Sequence, residues 1–262
     1  MLLLIKALLL GIVEGVTEFL PISSTGHLII ASEVLDYPEA QRATFEIFIQ
    51  LGAILAVFWH YRLPLIDLAS RVPRETKARA FVAKVALAFL PAAFVGLLIH
   101  EQIERYLFHP RVVAGALVAG GIAILLVESR RRPVTVSDIE EMSWRDALWV
   151  GVAQIASLFP GVSRAGATII GGLLAGLNRP VAIQFSFYLA LPTITAASLF
   201  SLTKSMAALT TDEIAPFSVG LVAAFVSALV VIRRFLSYVQ FHDFKIFGYY
   251  RIAFGLLVYV LA

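Results

Sequence analysis

Cysteine is absent from the 262 residues, which excludes disulfide frameworks, thiolate zinc sites and cysteine nucleophiles. Charge is scarce as well: Asp, Glu, Lys and Arg together make up 15% of the chain, against roughly 25% in soluble globular domains. So few charged side chains cannot cover the surface of a soluble fold of this size. The formal net charge is only +3, and the basic residues stand in short clusters between apolar runs instead of along one continuous face. That distribution argues against nucleic acid as a partner and for a membrane protein whose basic loops set its orientation. What fills the chain is hydrophobic, 60% of it.

Six segments, 44–60, 79–100, 110–127, 181–202, 215–236 and 246–262, are apolar over the length needed to cross a hydrocarbon core of about 30 Å. Met1 to Val13 is apolar too, but it runs into Glu14 without a small-residue cleavage site and reads as part of the mature fold. Two further apolar regions, 1–36 and 144–177, are interrupted near the middle, one by Pro21 and Gly26, the other by Pro160, Gly161 and Gly166. Apolar halves joined at a polar Pro/Gly break predict re-entrant hairpins, which a bilayer tolerates only where they are buried in protein or line a wet cavity.

Loop charges orient this scheme. Arg62, Arg71, Arg74, Lys77 and Arg79, and likewise Arg130, Arg131, Arg132 and Arg145, belong on the cytoplasmic side. The 203–216 loop has Lys204 against Asp212 and Glu213 and belongs outside. Arg233, Arg234 and Lys245 then fall inside, and the chain ends outside. The first hairpin dips in from the outer face and the second from the inner.

Opposed hairpins suggest an inverted duplication of 1–130 and 144–262 within one membrane domain, 1–262. Gly11-Ile12-Val13-Glu14 lies over Gly151-Val152-Ala153-Gln154 at an offset of 140, and Phe45, Leu51, Ile54 and Ala56 over Phe185, Leu191, Ile194 and Ala196 at the same offset. Pro21 and Ser24 lie over Pro160 and Ser163 at 139. The expected fold is all-α and integral to the membrane, with six full spans plus two re-entrant helical hairpins whose tips meet near the midplane.

Glu14 and Glu18 are four apart, so a helix puts both carboxylates on one face. An ionisable group at bilayer depth costs at least about 2.5–3.5 kcal/mol, and two like charges cost more. A divalent cation, a basic partner or a retained proton would offset that; solvation at the interface is the plainer account. Directly behind the pair comes Pro21-Ile22-Ser23-Ser24-Thr25-Gly26-His27. Such a run can simply cap a helix. Its hydroxyls and the free backbone N–H groups of a helix start also suit an anion such as phosphate, and His27 titrates near neutrality. The second break reads Pro160-Gly161-Val162-Ser163-Arg164-Ala165-Gly166-Ala167-Thr168. A lone Arg there needs an anion: Glu14 or Glu18 in a structural ion pair, or a phosphate held by Arg164 with Ser163 and Thr168. His60, His100, His109 and His242 fall at span ends or in loops and read as interfacial.

The segment from Glu14 to His27 and the segment from Pro160 to Thr168 resemble the two signature motifs of the bacterial undecaprenyl-pyrophosphate phosphatase family, associated with bacitracin resistance. The resemblance extends along the chain, including Phe45 to Ala56 and Phe185 to Pro192. It implies an integral enzyme of the bacterial plasma membrane that removes the terminal phosphate of a C55 isoprenoid diphosphate, depends on a divalent cation such as Mg²⁺ or Ca²⁺, and opens its site to the outer face. By motif match Glu14 and Glu18 take the acidic, metal-binding role, Ser24 and His27 the Ser/His role, and Arg164 the phosphate-binding role. Ser23, Thr25, Gly26, Ser163 and Thr168 complete the substrate site. One departure stands out: the family pattern PGxSRSxxT has Ala165 at its second Ser.

Three nucleophiles fit these residues: Ser24 with His27 as base, His27 itself, or a metal-bound water activated by Glu18, the first being preferred. A transporter or flippase of a phosphorylated lipid is the rival from another class, since inverted repeats with broken helices are a transporter architecture. A structural scaffold is a third reading and leaves the polar cluster without a purpose. The partners expected are the C55 lipid and membrane lipids, with no nucleic acid; a homodimer is left open.

Overall fold

The helices this sequence forms are mostly rich in apolar side chains, as expected where helices pack on one another and on lipid instead of facing water. The computed structural model describes residues 1–130, 133–205 and 211–261, so Arg131 and Arg132, counted above for loop charge, lie outside the described residues. Among the described residues there are eleven α-helices and no strand, only an isolated bridge between Val136 and Leu177. In chain order they are α1 (Leu2–Thr17), α2 (Ser24–Val34), α3 (Glu39–His60), α4 (Arg62–Arg71), α5 (Thr76–Leu107), α6 (Pro110–Ser129), α7 (Trp144–Gln154), α8 (Arg164–Leu174), α9 (Arg179–Ser205), α10 (Ile214–Tyr238) and α11 (Lys245–Leu261).

Five of these, α3, α5, α6, α9 and α10, are long and apolar enough to cross a membrane. The sixth expected span corresponds to α11, whose 17 residues rise about 25 Å at 1.5 Å each. Outward-facing Leu90, Phe94, Leu97 and Leu98 on α5 give the bundle an apolar exterior that suits lipid.

The two interrupted regions fold as paired short helices, α1 with α2 and α7 with α8. α2 and α8 have 11 residues each, too few to span. α2 and α8 begin 140 residues apart, as do α3 and α9. Both breaks end on a serine with positive φ, 72° at Ser23 and 71° at Ser163. L-residues adopt this region at a cost, so the surrounding packing must hold it. These two serines are 140 positions apart, whereas the letters match Ser24 with Ser163 at 139.

Packing crosses between the halves. α1 lies on α10 while α7 lies on α5; α3 touches α9 and α10, α9 also touches α5, and α6 packs on α11. Small residues make the closest of these approaches, as at membrane helix interfaces generally. A Cβ on Gly11 would sit 2.3 Å from the Gly220 carbonyl oxygen, and one on Gly151 would sit 2.4 Å from that of Ala88. Gly11 and Gly151, 140 positions apart, thus let α1 and α7 each pack closely on a long helix, α10 and α5. The largest cluster of buried apolar side chains, including Ile54, Phe185 and Phe187, takes in residues flanking both breaks, Phe19 before the first and Ala165 and Ile169 after the second.

Candidate active site

Glu18 follows α1 directly, still in helical conformation, and its N–H donates to the Glu14 carbonyl at 2.9 Å. That places Glu14 and Glu18 one turn apart. The chain then turns through Leu20 to Ser23 and re-enters a helix at Ser24. Ser24 Oγ donates to Glu18 Oε2 at 2.6 Å, and Arg164 Nη2 donates to Glu18 Oε1 at 3.1 Å. Both oxygens of a carboxylate only 6% exposed are thereby engaged. Arg164 Nη1 reaches the carbonyl and hydroxyl oxygens of Ser186 at 3.3 and 3.4 Å, and its guanidinium lies 5.5 Å from the Phe19 ring centroid. Arg164 Nε is buried with no hydrogen-bond partner among the described residues.

Glu18, Ser23, Ser24, Thr25, Ser163 and Arg164 line one cavity of about 180 Å³, together with Gln50 and Thr193. The α2 start faces it with Ser23 making no side-chain cap, so the first-turn N–H groups remain available to an anion. At α8, in contrast, Ser163 Oγ accepts from Gly166 N–H at 3.1 Å. The two helix starts have the same backbone and different chemistry.

Ser24, Thr25 and Gln50 also border a second cavity of about 500 Å³, lined further by Glu14, Glu46, Phe108 and Phe200. Glu14 is 1% exposed, and neither carboxylate oxygen has a hydrogen-bond partner among the described residues. An orphaned buried carboxylate beside a second carboxylate and an amide oxygen is a donor set suited to a hard divalent cation, which takes one or two carboxylates and completes its shell with water and phosphate. Among the described residues there is no cluster of three or more metal-ligating side chains, so protein ligands alone would not form a closed cage.

Not every expected residue meets at the cavity. His27 is held apart: its Nδ1 bonds the Ser23 carbonyl at 2.7 Å, its Nε2 bonds Tyr250 Oη at 2.6 Å, and its ring stacks on Phe254 with centroids 4.1 Å apart. It borders a different, apolar cavity with Ile12, Val16, Leu20 and Tyr250. Thr168 stands behind Arg164, with Oγ1 donating to the Arg164 carbonyl at 2.9 Å and sharing a 2.6 Å bond with Ser186 Oγ. Gly26 faces α6, where a Cβ would approach Leu117 to 3.1 Å. Ala165 is fully buried.

Several residues at or around the site escaped sequence reasoning: Glu46, Gln50, Ser186, Thr193, Tyr250 and Arg251. Arg251 carried a readable signal, a lone Arg inside the apolar 246–262 run, the same signal that singled out Arg164. The others are ordinary polar residues on long helices and stand out only once the breaks are packed against them.

The family model described as bacitracin resistance protein BacA matches residues 7–257. An undecaprenyl-diphosphatase of Nitrosomonas eutropha is 52% identical over 261 residues, covering 100% of this chain and 95% of that one. Undecaprenyl-diphosphatase 2 of Rhodospirillum rubrum is 52% identical over 261 residues, covering 99% and 95%. An undecaprenyl-diphosphatase of Dechloromonas aromatica is 50% identical over 256 residues, covering 98% and 93%.

Proposed function

The chain belongs to the bacitracin resistance protein BacA family, and from that membership we propose that the cavity between its two helix breaks cleaves a lipid diphosphate through Ser24, Glu18 and Arg164. The activity is hydrolysis of undecaprenyl diphosphate to undecaprenyl phosphate and phosphate, the step that returns the lipid carrier to cell-wall synthesis and underlies bacitracin resistance. One observation carries the assignment of residues: the Glu18 carboxylate accepts from the Ser24 hydroxyl and from the Arg164 guanidinium within a single cavity.

Phosphoryl transfer depends mainly on position and charge neutralisation. The terminal phosphate enters at the uncapped start of α2 and takes the guanidinium of Arg164, including its unpartnered Nε–H. Ser24 Oγ attacks the terminal phosphorus, its proton passes to Glu18 Oε2, and the bridging P–O bond breaks to release undecaprenyl phosphate. Water then hydrolyses the phosphoserine, freeing phosphate and restoring the hydroxyl. His27, engaged at both ring nitrogens, serves this reading by holding the Ser23 carbonyl instead of acting as the base. Thr168 and Ser186 hold Arg164 from behind. Glu14, with Glu46 across the larger cavity, would hold a divalent cation, Mg²⁺ or Ca²⁺, next to Glu18, the other ligand expected from the sequence, whose two oxygens are taken by Ser24 and Arg164. When bound, the ion supplies neutralising charge to the diphosphate.

The same reading takes the protein as a six-crossing protein of the bacterial inner membrane, α11 being the sixth crossing. Residues 1–130 and 144–262 are inverted repeats, α1–α2 and α7–α8 are re-entrant hairpins, and the cavity opens to the periplasmic side. Support comes from the 140-residue spacing of equivalent helix starts and from the exchange of packing partners between halves. Binding and moving an anion would not need a serine hydroxyl bonded to a carboxylate, which weighs against a transporter.

Phosphate release from undecaprenyl diphosphate by purified protein in detergent, with mass spectrometry of acid-quenched enzyme, tests the scheme. A phosphoserine at residue 24, lost in Ser24→Ala with the activity, is the expected result. Undiminished turnover by Ser24→Ala would overturn the role of Ser24, and undiminished turnover by Arg164→Ala that of Arg164.

A further inference from the structure

We propose that Arg251 is a positioning residue that fixes the two hairpin tips against each other and thereby sets Ser24 opposite Arg164. Arg251 lies on α11 and is 1% exposed. Its Nη1 donates to the carbonyls of Pro21 at 3.1 Å and Val162 at 2.9 Å. Nη2 donates to those of Gly161 at 2.9 Å and Ala116 at 3.2 Å, and Nε to that of Leu117 at 3.3 Å. These bonds use the full donor complement of a guanidinium. Every acceptor is a backbone carbonyl, so the side chain works as a fork gripping three segments of main chain.

Two of the gripped positions correspond between the halves. Pro21 and Gly161 are 140 residues apart, and each stands two residues before a positive-φ serine. Unfavourable backbone of this kind persists only when its surroundings fix it. Ser24 follows the first serine and Arg164 follows the second, so a shift of either tip moves one member of the reacting pair. The tips are also joined by the Glu18–Arg164 pair and by Ser163 Oγ donating to the Leu20 carbonyl at 3.4 Å. A phosphate that takes Arg164 loosens the ion pair, whereas the carbonyls held by Arg251 are not competed for by an anion. Space for the fork is kept by glycine: a Cβ on Gly120 would lie 2.1 Å from Arg251 Nη2. Lysine, with three donors on a point charge, can replace only part of the grip.

The proposal rests on Ser24 and Arg164 performing the reaction, and its test separates the two ideas. Arg251→Met removes the fork, Arg251→Lys retains the charge and some donors, and Gly120→Ala keeps the arginine but displaces it. Loss of register at the reacting centre lowers kcat about 100-fold in Arg251→Met and in Gly120→Ala; Arg251→Lys recovers about tenfold of that, and KM changes by less than about threefold. Because the chain has no cysteine, spin labels on Val34→Cys and Leu174→Cys, exposed positions at the far ends of α2 and α8, report the tip geometry in the folded protein without substrate. Their distance distribution broadens in Arg251→Met and Gly120→Ala and narrows again in Arg251→Lys. A wild-type distribution in Gly120→Ala, or kcat within about threefold of wild type in both displaced variants, overturns the proposal. If Arg251→Met yields no folded protein, Gly120→Ala decides. Failure of the Ser24 assignment would appear instead as turnover in Ser24→Ala with the label distances unaffected.

Discussion

Glu18→Gln keeps the length and shape of the side chain and removes its charge. In the wild type the carboxylate accepts from Ser24 Oγ at 2.6 Å and from Arg164 Nη2 at 3.1 Å. An amide can satisfy only one of these donors with its oxygen, and its NH₂ then faces the other donor. Removing one member of a buried ion pair destabilises by about 3–5 kcal/mol. Arg164 keeps its bonds to Ser186 and its side chain is 10% exposed, so the lower end, about 3 kcal/mol, is expected. In the proposed scheme the chemical step also loses its proton acceptor, a contribution of about 10²–10⁴-fold, equivalent to about 3–5 kcal/mol of barrier. Phosphate release from undecaprenyl diphosphate reads the second quantity, and thermal unfolding in detergent reads the first. Arg164→Met on top of Glu18→Gln removes the stranded charge, so the double variant regains stability relative to Glu18→Gln while remaining inactive. A kcat for Glu18→Gln within about threefold of wild type would refute the role of Glu18 in proton transfer.

Gly15→Ala places a Cβ 2.1 Å from Ser227 Oγ and 2.3 Å from the Ala224 carbonyl oxygen; the backbone contact cannot yield, so α1 and α10 part at a loss of about 1–3 kcal/mol, read by thermal unfolding. Tyr250→Phe removes the hydroxyl bonded to His27 Nε2 and leaves the stack on Phe254; kcat within about threefold of wild type is expected if His27 only supports the Ser23 carbonyl, and a loss comparable to Ser24→Ala would return His27 to the chemistry. Glu14→Gln weakens Mn²⁺ binding, followed by electron paramagnetic resonance of the detergent-solubilised protein, by about 10-fold or more. EDTA removes both that signal and the turnover, whereas turnover indifferent to EDTA would exclude the cation role.

The membrane class was legible because hydrophobic length is a local property. Five spans emerge as helices around the stretches read from the letters, with ends extended by residues such as Glu39 and Thr76 that helix geometry recruits and hydropathy does not. Pro21 and Gly161 marked the breaks because each interrupts an otherwise apolar run. Depth then drew attention to Glu18 and Arg164, which lie 3.1 Å apart across 146 positions of sequence. Side-chain direction was not legible. His27 belongs to the same short motif as Ser24, yet one helical turn and the aromatic pair Tyr250 and Phe254 carry it to another cavity. The grip of Arg251 on two turns far away in sequence requires the packed tertiary structure.

Positions 140 residues apart carry different residues around the candidate site, and the proposed chemistry depends on those differences. Glu14 corresponds to Gln154 at the 140-residue offset, and both are buried. Gln154 accepts from Thr193 Oγ1 at 3.4 Å and carries no charge, so of this pair of positions Glu14 alone supplies a buried carboxylate for a cation. Ser24 corresponds to Arg164 by the same offset. The two helix starts, each preceded by a positive-φ serine, therefore present a hydroxyl and a guanidinium to one cavity. Two arginines at these positions would repel each other, and two serines would lack a phosphate clamp. With one of each, Glu18 bridges them, the first helix start stays open to an anion, and the second is closed by the Ser163 cap. Packing between the two halves brings these polar groups to one cavity; the difference between Ser24 and Arg164 sets a hydroxyl beside a guanidinium there, which is the polarity the proposed phosphoryl transfer requires.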